Sequence, residues 1–368
     1  MAKNSTFRLR LILPLLLATA AMTLQPEKTV AAARSALTLW ANAVVPSLLP
    51  FFILAELLVR LGAAQLAGRR LAPLMRPLFD LPGEAALGLV MGFCSGFPTG
   101  AAVAAELRRD GSVTAEEGGR LLAFTNNAGP LFVTATVASA LLETPQAAAL
   151  LCAAHYGINL LLGLALGWLS RARSGRRRKE ITAPAHAAAP AAPPFAALMK
   201  AAAQRAAANL LLIGCYMAFF AVAAALLVPA EGRPPLKAGI SCLLEMSLGI
   251  NALAESGLKT TALLPLVGAE LAFGGLSVQM QVLALTADTD ISPRLYLLSR
   301  PLHAALSAVF IRSTLPLLDL PLAVSGGGAG MIAPGAGALF RSSLYQAGLI
   351  TVCWQLVALP ASKEKGRG

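Results

Sequence analysis

Long apolar stretches alternate with short polar connections along most of the chain. Several of these stretches run for roughly 20 residues with scarcely a charge, about the length that an α-helix needs to cross a hydrocarbon core of ~30 Å. The pattern therefore predicts an all-α polytopic membrane protein. The predicted apolar helices are residues 11–24, 36–59, 121–142, 147–169, 205–228, 295–318 and 336–359.

Two further apolar segments, residues 83–106 and 260–285, are interrupted by glycine and proline. These residues break helical hydrogen bonding and lipid offers no replacement partners, so each break must lie against protein or a water-filled cavity. Paired interruptions in two halves of a chain point to a transporter site near the bilayer midplane. Both segments are predicted to be re-entrant helical hairpins, with kinked core helices as the alternative.

A basic, Ala/Pro-rich stretch divides the chain into two halves in which the elements follow the same order. In each half an apolar helix precedes an amphipathic piece (67–79 or 236–254), a broken segment and two closing helices. The predicted divisions are a signal-anchor helix at 1–35, a first repeat at 36–169, a cytoplasmic linker at 170–204, a second repeat at 205–359 and a polar tail at 360–368.

The net charge of +12 is distributed between the apolar segments. Basic residues precede the first apolar helix and cluster at residues 171–179, which is the positive-inside pattern of cytoplasmic segments in a cell membrane. Anionic lipid is therefore the predicted partner of these residues, rather than nucleic acid. With 57% hydrophobic and 13% charged residues, the composition excludes an ordinary soluble domain.

The orientation of the second repeat stays open. Basic residues crowd the ends of segment 83–106, whereas segment 260–285 has no basic excess, which suits an inverted repeat. The basic C-terminal tail favours the opposite arrangement, in which residues 236–254 cross the membrane and both hairpins face inward.

Polar residues at the predicted tip of the first hairpin are candidate ligand contacts. Glycines around Ser95, Pro98 and Thr99 let the backbone approach a ligand, and helix-end amides suit a polar or anionic small molecule. A tight turn that serves packing alone is the alternative.

Three adjacent polar residues, Thr125, Asn126 and Asn127, lie inside an apolar span and precede Gly129-Pro130. Such side chains are costly at membrane depth without partners, and the Gly-Pro pair predicts a local helix break. We predict a ligand or ion site that faces the first hairpin; helix packing through Asn hydrogen bonds is the alternative.

The second half also contains candidate ligand contacts. They are Glu245 on the amphipathic piece and Ser277 and Gln279 at the second break. Intramembrane carboxylates are functional candidates by default, which also draws attention to Glu270 and Glu56. If residues 236–254 lie at the interface, Glu245 is instead a solvated face residue.

Arg300 and His303 are three residues apart on one predicted helix and so share a face. The pair could hold a carboxylate of the substrate. Snorkelling of Arg300 to a lipid headgroup is the alternative.

Enzymatic motifs are missing from the sequence. There is no HExxH, Walker A or GxSxG pattern, the three histidines lie far apart, and the five cysteines form no CxxC pair. We predict a protein that is not an enzyme and uses no cofactor or metal.

Five runs of sequence, in order, resemble the sporulation integral membrane protein YlbJ family. They are FFILAELL (51–58), GFCSGFPTG (92–100), RLLAFTNNAGP (120–130), GGLSVQMQ (274–281) and YLLSRPLHAAL (296–306). The resemblance implies two Gate-type repeats with re-entrant helical hairpins, similar to those of concentrative nucleoside transporters.

The resemblance also implies a role in endospore formation, linked to the movement of dipicolinic acid. By position it implies that Pro98, Thr99, Asn126 and Asn127 line a first-half site, and that Glu245, Ser277 and Gln279 line a second. The expected protein is a transporter of a small polar or anionic metabolite that forms a homo-oligomer. A nucleoside-type transporter and a non-transporting assembly protein are the alternatives.

Overall fold

The computed structural model describes residues 2–174, 194–228 and 234–318, and none of these residues forms a β-strand. The predicted all-α class is confirmed. In chain order the α-helices are α1 (Ala2–Leu24), α2 (Pro26–Leu39), α3 (Val45–Arg60), α4 (Ala63–Phe79), α5 (Ala86–Cys94), α6 (Thr99–Arg109), α7 (Ala115–Thr125), α8 (Ala148–Cys152), α9 (Ile158–Ser174), α10 (Phe195–Leu227), α11 (Pro234–Leu244), α12 (Met246–Ala254), α13 (Thr260–Phe273), α14 (Gly275–Thr286) and α15 (Arg294–Thr314).

Three helical stretches within the described residues are long and apolar enough to cross a membrane: Pro145–Arg173, Phe195–Leu227 and Thr260–Thr286. A pair of helices bent by 87°, Arg70–Phe79 with Gly83–Cys94, adds a fourth crossing if it is one broken span. The predicted helix at 336–359, the tail at 360–368 and the centre of the predicted linker lie outside the described residues.

Apolar side chains remain exposed on the span-length helices. Leu161 and Trp168 on α9 and Leu211 and Phe219 on α10 are all more than half exposed. Exposed apolar area of this kind is costly in water but suits contact with lipid tails. The surface therefore agrees with a protein that is integral to the membrane.

Two apolar cores hold the described elements together, and each contains residues from both halves. One packs α4–α7 against the end of α14 and the start of α15, and the other packs the helix after the α7 break against α12, α13 and α15. A smaller core joins α3 to α10, where the Trp40 indole Nε1 donates a hydrogen bond to the carbonyl of Leu210 at 2.8 Å. The two halves are therefore interlocked.

Helices α5 and α6 fold back on each other around residues 95–98, where the first hairpin is predicted. Gly92 and Gly100 let this pair press against the end of α7. A Cβ atom at either position would lie 2.0 or 2.2 Å from the carbonyl oxygen of Thr125, so only glycine permits the approach.

The second hairpin is not confirmed at residues 260–285. This segment forms α13 and α14, which together make one helical stretch of span length, interrupted at Gly274 with φ +81°. The chain reverses earlier, at Glu245, where α11 and α12 pack so closely that a Cβ on Gly249 would lie 2.5 Å from the Cα of Cys242. A side-chain cap makes this reversal, because the Glu245 carboxylate accepts the Leu248 N–H at 2.9 Å.

Candidate functional site

Helix α7 ends at Thr125, and helical structure resumes only at Pro130, so the predicted break is present. The continuation contains the π-helix Phe132–Leu141. Residues 126–129 are non-helical, and carbonyls at the end of α7 lose their helical donors here. Because the segment is fully buried apart from Gly129, those carbonyls need donors from other elements.

Arg300 of α15 supplies donors to two of these carbonyls. Its guanidinium donates to the carbonyls of Asn126 at 3.0 Å and Ala123 at 2.5 Å, and to Asn159 Oδ1 at 3.2 Å. The side chain is completely buried and lies over the ring of Tyr296. The snorkelling alternative is therefore wrong, and the guanidinium faces the helix break.

The two predicted asparagines connect the break to the first hairpin. Asn126 Oδ1 accepts the N–H of Ala101 on α6 at 2.9 Å, and Asn127 Nδ2 donates to the carbonyl of Gly92 on α5 at 3.4 Å. Asn127 Oδ1 in turn accepts from Asn159 Nδ2 at 2.6 Å. These residues contact the first hairpin through hydrogen bonds to protein, as in the packing alternative.

Three polar residues that sequence reasoning missed complete the network: His155, Tyr156 and Asn159. Ala128 donates its N–H to His155 Nε2 at 2.9 Å, and Tyr156 donates its hydroxyl to the Ala128 carbonyl at 2.7 Å. His303 Nε2 lies 2.9 Å from the His155 carbonyl, and the two imidazole centroids are 5.1 Å apart. His155 and Asn159 are four residues apart in an apolar span, the same kind of spacing that drew attention to Arg300 and His303.

A cavity of about 100 Å³ lies where the two hairpin turns meet the α7 break. Ser95 and Phe97 approach it from the first turn, Ala128 from the break, and Glu245 from the second turn. Further lining residues are Val44, Leu48, Gly96, Gly129, Leu131, Phe132, Ile213, Met217, Met246, Ser247, Val278 and Gln281. Elements from both halves therefore line one small shared space.

Residues 42–311 match the family model described as Nucleoside recognition (Gate). The chain is also 32% identical over 325 residues to the sporulation integral membrane protein YlbJ of Bacillus subtilis (strain 168), which covers 80% of this chain and 79% of the relative. The chain belongs to the YlbJ family. No solved structure matches it.

Only some of the predicted site residues of this YlbJ-family protein line the central cavity. Ser95 and Glu245 do so. The remaining nine lie outside the lining: Pro98, Thr99, Thr125, Asn126, Asn127, Ser277, Gln279, Arg300 and His303. Gln281, one turn after Ser277 and within 3.2 Å of its hydroxyl, reaches the cavity in its place.

Thr99 faces a different part of the YlbJ-family fold. Its Oγ1 is buried without a hydrogen-bond partner among the described residues, and its side chain borders a small space beside Glu56, Glu106 and Arg205. Arg205 of α10 lies 3.9 Å from Glu56 and 3.7 Å from Glu106. Ion pairs of Arg205 therefore connect α10 both to the first hairpin and to α3.

Ion pairs also connect the far end of the first hairpin to the loop before α15. Arg108 contacts Asp290 through two hydrogen bonds of 2.6 and 2.8 Å, and Arg109 contacts Asp288 at 2.7 Å. The hydrogen bond and positive charge of Arg109 hold the pKa of Asp288 below its usual range, and Arg108 does the same for Asp290. The two aspartates follow the span Thr260–Thr286 in the chain, so these ion pairs connect the first hairpin to the second half.

Proposed function

We propose that the chain is a multi-pass transporter of the cell membrane that moves a small polar or anionic metabolite, of the class of dipicolinate or a similar dicarboxylate. The observation that supports this most directly is the central cavity, which both hairpin turns and the α7 break line together. Interrupted helices that meet near a midplane cavity are the usual form of a transporter binding site.

The order of elements supports two related repeats. A helical pair (α5–α6 or α11–α12) precedes a broken helix (α7 and its continuation, or α13–α14) and then a long helix (α9 or α15). We propose that both pairs are re-entrant hairpins and that the repeats are inverted, so that moving one hairpin at a time exposes the cavity to alternate sides.

The cavity in the structure is too small to hold a metabolite. Its volume of about 100 Å³ is well below the ~300–1,000 Å³ of typical small-molecule pockets. Entry of a metabolite therefore requires a hairpin to move, and Ser95, Glu245 and Gln281 would meet the metabolite when it does.

Recognition of an anionic group would come from helix ends. The helix after the α7 break begins beside the cavity, and helix N-termini favour negative charge. The N-terminus of α12 also borders the cavity, but the Glu245 carboxylate already caps it. Arg300 would not bind the substrate directly in this state, since its donors contact the α7 break. Its role in the proposal is to keep that break in shape.

The names of the matches bear on the substrate. The relative is named as a sporulation protein, which favours a role in sporulation and dipicolinate as the first compound to test. The matched model is described as Nucleoside recognition, which favours a nucleoside-type transporter as the second candidate. We further propose that the protein is not an enzyme and that it contacts membrane lipids and a second copy of itself.

Uptake by purified protein in liposomes tests this proposal. We would measure labelled dipicolinate and uridine, with and without sodium or proton gradients. Ser247→Leu places a bulky side chain at the cavity and should abolish uptake, whereas Asn251→Leu makes the same kind of change one turn further along α12, outside the cavity lining, and should preserve it.

Saturable dipicolinate uptake that is lost only in Ser247→Leu would support the substrate and the site together. Uptake of uridine alone would overturn the dicarboxylate and keep the cavity. If correctly inserted protein moves neither compound, the assembly role becomes the better explanation.

A further inference from the structure

Glu270 is a buried carboxyl group that the central cavity does not use. It lies on α13, one helical turn before the break at Gly274, and is only 4% exposed. Its Oε1 atom has no hydrogen-bond partner within the described residues. The side chain borders a second cavity, of about 360 Å³, formed by α11, α12, α13 and α15.

No cation faces this carboxyl group from the described elements packed around it. On α15, Arg300 contacts the α7 break and His303 contacts His155. From α11, the thiol of Cys242 interacts with the Glu270 carboxyl. Ion pairs found in the described ranges do not include Glu270.

The remaining charged neighbour is a second carboxyl group, Glu245, at the turn between α11 and α12. Two carboxyl groups that share a buried region cannot both be ionised without a large electrostatic cost. Glu245 is hydrogen-bonded by the Leu248 N–H as a helix cap, which favours its negative form, so Glu270 is the better site for a proton.

The surroundings fit a proton better than a metal cation. Sodium-like and divalent hard cations need several oxygen ligands, whereas apolar side chains and a thiol form most of this cavity. No group of three potential metal-ligating side chains occurs in the part of the chain that the structure describes.

We propose that Glu270 is a proton-binding site that couples proton movement to the motion of the α11–α12 hairpin. The neutral acid is compatible with the closed packing of Cys242 and Glu245 around it. Loss of the proton leaves a charge that must be hydrated, which favours displacement of α11 and α12. Because Glu245 also lines the central cavity, this displacement opens the proposed substrate site.

The coupling rests on the proposed transport function, but proton binding does not, so the first test measures the proton alone. Infrared difference spectra of wild-type protein in liposomes, recorded while pH is raised, should show the carbonyl band of a protonated carboxylic acid disappear. Glu270→Gln should lack this band, and Glu255→Gln, which changes an exposed carboxylate at the end of α12, should keep it.

Carbodiimide labelling of the unmodified chain provides a check that needs no variant. This reagent modifies protonated carboxyl groups in apolar surroundings, so mass spectrometry should find it on Glu270, with less label as pH rises. A band that persists in Glu270→Gln, or labelling that sodium prevents at constant pH, would overturn the proton site.

The second test asks whether the proton drives transport, with dipicolinate as the substrate. Glu270→Gln, which cannot lose a proton, should lose accumulation driven by a proton gradient, whereas the Glu255→Gln control should keep it. Gradient-driven accumulation that survives in the variant would overturn the coupling. If the wild type transports nothing yet shows the Glu270 band, the proton site stands and the proposed function fails.

Discussion

Replacing Arg300 separates an architectural role from direct substrate binding. Arg300→Met keeps an unbranched side chain of similar length but removes every donor that contacts the α7 break. The change leaves Asn126 O and Asn159 Oδ1 without the donor that serves them in the structure, while Ala123 O keeps a second donor, the hydroxyl of Ser299 at 2.9 Å.

The cost follows from these contacts. Hydrogen bonds inside membrane proteins average ~0.6 kcal/mol and reach about 1.7 kcal/mol, so three of them contribute roughly 2–5 kcal/mol. Removing a buried cation also removes its desolvation penalty, which offsets part of the loss. We expect Arg300→Met to lower the free energy of unfolding by about 2–3 kcal/mol relative to wild type.

Unfolding in mixed micelles, followed by circular dichroism as SDS is added, measures this difference. Arg312→Met is the matched control, because Arg312 lies on the same helix with an exposed side chain. Arg300→Lys should fall between wild type and Arg300→Met, since an ammonium group has donors but cannot reach several acceptors in the fixed geometry of a guanidinium.

A variant of unchanged stability would refute the reasoning. If Arg300→Met unfolds like wild type and loses only dipicolinate uptake, Arg300 binds the substrate in another state, and the network around the α7 break is incidental to stability. If stability and uptake fall together, the break is part of the architecture on which the site depends.

Two further outcomes follow from single contacts. Gly92→Ala places a methyl group 2.0 Å from a backbone carbonyl of α7, so thermal scans in detergent should show a destabilisation of ~1–3 kcal/mol or more. Gly157→Ala is the control, because its methyl group meets nothing within 4 Å and should change the stability little. Because Arg109 lowers the pKa of Asp288 in the folded state, this pair contributes stability above the ordinary Asp pKa of about 3.9 and loses it as pH falls through the lower folded value. Because the pair is exposed, Asp288→Asn should lower the free energy of unfolding by at most about 1 kcal/mol. Unfolding measured as a function of pH should depend less on pH in Asp288→Asn than in wild type, and the control Glu116→Gln should behave like wild type.

Local sequence was sufficient to predict the reversal of the chain between α5 and α6 and the α7 break. Glycine and proline weaken helical hydrogen bonding, and lipid offers no replacement partners. Both interruptions coincide with such residues, Gly96 with φ +99° and Pro130. The polar run at Asn126 had to find partners for the same reason.

The second hairpin could not be placed in this way. Gly274 and Gly275 form the more conspicuous break, yet the helical direction is largely maintained across it. The reversal occurs at Glu245, where no glycine or proline marks it and the side chain itself caps α12. A carboxylate cap resembles any other polar residue of an amphipathic segment until its backbone partner is known.

Partners distant in sequence decide which polar residues remain available for function. Arg300 is conspicuous in an apolar helix, but its donors meet carbonyls about 175 positions earlier in the chain. Glu270 attracted less attention, and yet one of its oxygens is unsatisfied at the edge of a cavity. A buried polar group in a membrane either has a hydrogen-bond partner or destabilises the fold. An unpaired donor or acceptor therefore identifies a functional candidate better than polarity alone does. By this criterion Glu270 takes precedence over Arg300 as the residue whose protonation would change in the proposed transport cycle.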